Sequence, residues 1–106
     1  MTPLKIVIFQ QAEWWVAQCL EHNIAGQGKT LREAIYQFQT AFASELAICK
    51  EIGGKLEDIQ AAPAIYWKMF EGAERIEVKE TIPFRTSSFV PEKILKEDVR
   101  LCSTLP

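Results

Sequence analysis

The sequence predicts an α+β domain: an antiparallel sheet with one long helix packed on a face, followed by a short second helix. Three observations carry this. Residues 4–9, 14–20 and 24–28 are apolar or glycine-containing segments separated by short polar breaks, the pattern of neighbouring strands joined directly. After Thr30 the apolar spacing switches to every three or four residues. The chain has 106 residues, 48% hydrophobic and 25% charged, which suits one core and excludes two independent ones.

Leu4-Lys5-Ile6-Val7-Ile8-Phe9 is rich in β-branched and apolar residues, as a strand covered on both faces would be. Gln10 to Glu13 reads as a hairpin loop, and Trp14 to Leu20 as the second strand. Glu21-His22-Asn23 breaks it. Ile24 to Gly28 is a short third strand whose glycines, Gly26 and Gly28, lie on one side and suit a close approach by another backbone. Thr30-Leu31-Arg32-Glu33 is a capping box. Leu31, Ile35, Phe38, Phe42, Leu46 and Cys49 then form one stripe of a helix over about 31–51, which Gly53-Gly54 can end.

Beyond the glycines, residues 56–60 suit a helical turn. Pro63 suits the start of a short helix that ends near Gly72. Residues 75–79 alternate as a half-exposed strand. The expected organisation is one domain over 1–80 and an extended C-terminal tail over 81–106, where three of the prolines fall.

Net charge is −2, which argues against a general nucleic-acid coat. No apolar run approaches the ~20 residues of a membrane helix, and the N-terminal residues do not read as a signal peptide. Cys19, Cys49 and Cys102 are far apart and His22 is the single histidine, so no paired zinc-ligand spacing exists. Reduced cysteines and a cytoplasmic location follow as expectations.

Candidate chemistry is sparse. His22, with Glu21 orienting it, would make a general base, but a solvated turn histidine is the simpler expectation. Glu13 and Glu21 sit near opposite ends of one strand, too far apart to share a metal ion. Gly28-Lys29-Thr30 precedes a helix, yet position 23, where a phosphate loop needs its first glycine, is Asn. No catalytic residue, metal ligand or cofactor site is therefore assigned, and a non-enzymatic protein is expected. Aromatic residues are the conspicuous feature. Trp14 and Trp15 must point to opposite faces of a strand, and Tyr66, Trp67 and Phe70 crowd one short helix. Trp14, Trp15, Tyr66, Trp67 and Phe70 are the candidate partner-binding or oligomer-interface residues. A free sheet edge and a sheet face beyond the reach of the long helix predict a homodimer or tetramer.

The run from Trp14-Trp15-Val16-Ala17-Gln18-Cys19 through Gly28-Lys29-Thr30-Leu31-Arg32-Glu33-Ala34-Ile35 resembles the HicB-like antitoxin family of bacteria, over residues 4 to about 50. The resemblance implies a β-β-β-α-β module, similar to a partial ribonuclease H fold without its nuclease carboxylates. It also implies oligomerisation and neutralisation of a small mRNA-cleaving toxin through protein–protein binding. The chain departs from the family at Leu20-Glu21-His22-Asn23, where members commonly carry a Leu-Pro-Gly turn. Its single short helix after residue 61 is too little for a helix-turn-helix or ribbon-helix-helix region, so operator DNA binding is not expected. The alternatives are a small nucleic-acid-binding regulator, and an interaction module that has lost the antitoxin role.

Overall fold

The computed structural model describes residues 4–76 and 97–102. The elements are β1 (Leu4–Gln11), β2 (Trp14–Cys19), β3 (Ala25–Gly28), α1 (Leu31–Ile52), a 3-10 turn (Leu56–Asp58), α2 (Ala64–Glu71), β4 (Glu74–Arg75) and β5 (Glu97–Cys102). The α+β class, the three-stranded meander, the long helix on a sheet face and the short second helix are as the sequence predicts. The first hairpin is tighter than predicted. Gln11 pairs with Trp14, so the loop is Ala12-Glu13, with Ala12 in the left-handed region at φ 55°.

The sheet is larger than the meander and mixed rather than wholly antiparallel. Its strand order is β3-β2-β1-β5-β4. β5 pairs parallel with β1, setting Ile6 opposite Val99 and Ile8 opposite Leu101. Residues 97–102, expected in an extended tail, thus occupy an interior position of the sheet. Their strand character is masked in the sequence because Val99 and Leu101 alternate with Asp98 and Arg100, which face away from α1. β4 pairs antiparallel with β5 through Glu74 and Arg75. Residues 77–79 of the strand predicted there lie outside the described residues.

β1 is buried on both faces, which is why it reads as a continuous apolar run. Ile6 and Ile8 join Ala17, Cys19, Ile24, Val99 and the α1 residues Ala34, Ile35, Phe38 and Phe42 in one core. Val7 and Phe9 face the other way and join Leu20, Ala62, Met69 and Phe70 in a second core under α2.

α1 starts where Thr30 Oγ1 accepts the Glu33 N–H at 3.0 Å, and ends at Gly53, whose φ of 72° is left-handed. Its position over the sheet is set by β3. A Cβ on Gly26 would fall inside the backbone of Gln37 and Phe38, and one on Gly28 would lie 2.6 Å from the Glu33 Cβ. At Gly26 the helix backbone therefore rests directly on the strand, and at Gly28 the root of the Glu33 side chain does.

Two outcomes follow. Thr30→Ala leaves a first-turn N–H without its acceptor and should lower stability by ~0.5–2 kcal/mol in urea denaturation. Gly26→Ala should cost more, about 1–3 kcal/mol, because the new methyl meets backbone that cannot rotate away. Equal urea midpoints for Gly26→Ala and wild type would refute the close approach.

Candidate functional site

The two adjacent tryptophans diverge as strand geometry requires. Trp15 is half-buried and packs against the α1 core. Trp14 points to the opposite face and stays 36% exposed. The Lys29 ammonium lies 4.0 Å from the Trp14 ring centroid and 3.2 Å from the Glu13 carboxylate. This corner joins the first hairpin to the start of α1.

Tyr66 and Trp67 lie on neighbouring positions of α2, yet both pack on the second core. Tyr66 stacks on Phe9 with ring centroids 5.8 Å apart. Trp67 donates its indole N–H to the Ala62 carbonyl at 3.1 Å, and the Lys5 ammonium lies 5.4 Å from its ring centroid. Phe70 is 5% exposed, with the Arg100 guanidinium 4.2 Å from its ring centroid. Arg100 Nη1 also donates to the Phe70 carbonyl at 3.4 Å, and Nη2 lies 3.6 Å from Asp98. The aromatic set is thus divided. Within this chain, Trp67 and Phe70 complete the second core, while Trp14 remains at the rim.

α2 packs on β1 and β5. On that face β2 and β3 present Trp14, half-buried Val16 and exposed Ala25 and Gln27, and Tyr66 packs on the adjoining core. Among the described residues nothing covers this half-face or the neighbouring edge of β3, and together they form the candidate interaction surface. The α1 residues Ile48 and Ile52 are exposed too, at 49% and 76%. The apolar stripe legible in the sequence runs through Leu46 and Cys49, and these two isoleucines lie to one side of it.

The polar turn between β2 and β3 is built into the fold. Glu21 accepts the Lys5 N–H at 2.9 Å and the Cys19 thiol at 3.9 Å. The Gln18 amide donates to Asn23 Oδ1 and to the Cys19 carbonyl, both at 3.0 Å. The segment Gln60–Ala62 is stitched to the turn by Asn23 N–H to the Gln60 carbonyl and by Ala62 N–H to the Leu20 carbonyl. His22, expected to be solvated, is buried between these two ties, and its Nδ1 has no hydrogen-bond partner. The sequence did not disclose this because residues nearly forty positions later cover the turn. Among the described residues, no group of three or more His, Cys, Asp or Glu side chains could hold a metal ion. No described helix is long and apolar enough to cross a membrane.

No protein-family model matches the chain, and no significant similarity links it to a curated protein or a solved structure.

The placements of Trp67 and Trp14 predict opposite mutational effects. Trp67→Ala removes a packed ring and its hydrogen bond and should cost ~3–5 kcal/mol. Trp14→Ala should cost under about 1 kcal/mol, because the ring is at the rim. Thermal or urea unfolding of the two variants checks this; similar losses would place both rings in one core.

Proposed function

We propose that this protein is a non-enzymatic bacterial HicB-like protein of the cytoplasm, acting through protein–protein binding as a neutralising partner of a small mRNA-cleaving toxin. The observation that carries the reading is the physical use of the segment behind the resemblance. Gly26, Gly28, Thr30 and Glu33 seat and cap a long helix on a three-stranded meander. These are the residues that such a β-β-β-α module needs. The exposed Trp14, Ile65, Ile48 and Ile52 supply apolar surface suited to a protein partner. A nucleic-acid-binding regulator is the rival reading, with less in its favour, since Lys29 beside Trp14 is already paired with Glu13.

The test is to look for an adjacent reading frame that encodes a small basic protein and to co-express its product with the tagged chain. The expected result is a stable complex on size exclusion and loss of the partner's mRNA cleavage within it. Absence of a complex, together with salt-dependent retention of the chain alone on a polyanion column, would overturn the proposal in favour of the nucleic-acid reading.

A further inference from the structure

The second half of α1 has no strand beneath one of its flanks. Gly28 lies under Glu33 and Ala34, and Gly26 under Gln37 and Phe38, so α1 runs antiparallel to β3. Two strand residues and four helix residues span about the same ~6 Å. β3 begins at Ala25, one residue before Gly26, so the strand stops short of the flank beyond about residue 40. Burial follows the same limit. The buried residues of α1 fall within 34–42, and none of residues 43–52 is buried.

On that flank the spacing is that of a helix seam. Ala41, Glu45, Ile48 and Ile52 follow one another at intervals of four, three and four residues. This is the repeat that lets a second helix pack alongside and interlock its side chains. Ala41 is half-buried at the margin of the α1 core, and Ile48 and Ile52 are exposed. The row is distinct from Ile35, Phe38, Phe42 and Leu46, which face the sheet.

Glu45 decides what kind of helix fits. It is half-buried between Ala41 and Ile48, and among the described residues no Lys or Arg forms an ion pair with it. The cations of α1, Arg32 and Lys50, lie about 140° around the helix from it. Covering this carboxylate with apolar side chains alone would remove its water without replacing the lost hydrogen bonds, whereas a cation in the covering stripe makes a charge-assisted pair. A second copy of the chain is a poor occupant for the same reason. Packed on itself about a two-fold axis, the row brings another Glu45 and no cation.

We propose that this flank of α1 seats an amphipathic helix of another protein, whose apolar stripe carries a Lys or Arg opposite Glu45. The proposal rests on the protein-binding reading above and not on the partner being a toxin. The seam is short beside a standard interface of ~20–30 residues a side, so an isolated helix should bind weakly, with a Kd of roughly 10–1000 μM.

The probes are two synthetic two-heptad helices, each held helical and monomeric by a lactam bridge on its outer face. Both present leucines at the seam positions and differ at the central one, Lys in the first and Glu in the second. Titrated into the isotope-labelled full chain, the Lys probe should shift the amide resonances of residues 41–52 and bind at least about tenfold tighter than the Glu probe. Glu45→Gln should level the two affinities and Glu45→Lys should invert their order, which a purely packing role for this position would not produce. Ile48→Ser combined with Ile52→Ser should abolish binding of both probes with little change in thermal midpoint, because both side chains are exposed. No binding of the Lys probe at ~1 mM would overturn the proposal. So would equal affinities for the two probes, a preference that the Glu45 variants leave unchanged, or shifts confined to the Trp14 face. A large fall in midpoint for the double serine variant would overturn it too, since the row is then covered within the chain, as would a wild-type dimer that this variant dissociates. A complex with the co-expressed toxin that the double variant leaves intact would overturn this proposal while the reading above stands.

Discussion

The arrangement turns on a contact that contains no side chain on one of its sides. Gly26 and Gly28 let the α1 backbone settle directly onto β3, and a Cβ at either position would have to displace helix atoms. Glycine inside a strand costs ~0.5–1 kcal/mol relative to alanine. That cost is offset by what the contact places: Ala34, Ile35, Phe38 and Phe42, all buried, reach Ile6, Ile8 and Val99 across the sheet. A fully buried side chain of this size contributes about 1.5–3 kcal/mol, so the helix position outweighs the two strand glycines several-fold. Because α1 sits toward the β3 side of the sheet, its reach is spent on one face alone.

The opposite face is closed by smaller means. α2 has eight residues and no side-chain cap at its start, too short to be stable by itself. It is held by tertiary contacts: the Tyr66 ring on Phe9, Met69 and Phe70 over Val7 and Phe9, and the Trp67 indole tied to Ala62. The Ala62 N–H is itself bonded to the Leu20 carbonyl, so the indole, the Gln60–Ala62 segment and the β2–β3 turn form one connected support. β1 lies between the two cores, and the unbroken Ile6-Val7-Ile8-Phe9 run is the sequence signature of that position.

Periodicity made the meander and α1 readable. The capping box at Thr30 and Glu33 and the paired glycines before it each act over a few residues, where local chemistry decides. What escaped reading depends on distant partners. β5 carries three charged residues in six, and only its place between β1 and β4 shows why: Val99 and Leu101 serve the α1 core while Arg100 covers the Phe70 ring. His22 looks solvent-exposed beside Glu21 and Asn23 until Gln60 and Ala62 are brought over the turn. The aromatic set was visible as a set, but its division was not. Helical phase puts Tyr66 and Trp67 about 100° apart, yet a sheet as broad as this one receives both on a single surface.

The same structure constrains how polar groups are spent. Glu21, Gln18 and Thr30 are engaged with backbone, Asp98 with Arg100, and Arg100 also with the close of α2. Each of these stabilises a turn, a cap or a partly buried strand, and withdrawing any of them for chemistry would cost the fold its support. Among the described residues, the groups turned outward are of another kind: the rings and aliphatic chains of Trp14, Ile48, Ile52 and Ile65, and the edge of a strand whose next-door helix is seated by glycine. Apolar surface and unpaired backbone gain most by meeting another polypeptide, where water is displaced and the edge is satisfied at once. The close approach that fixes α1 therefore also shapes the surface left for association. Among the described residues, the edge it adjoins carries no charged residue of its own, and the Glu33 side chain lies over it at Gly28.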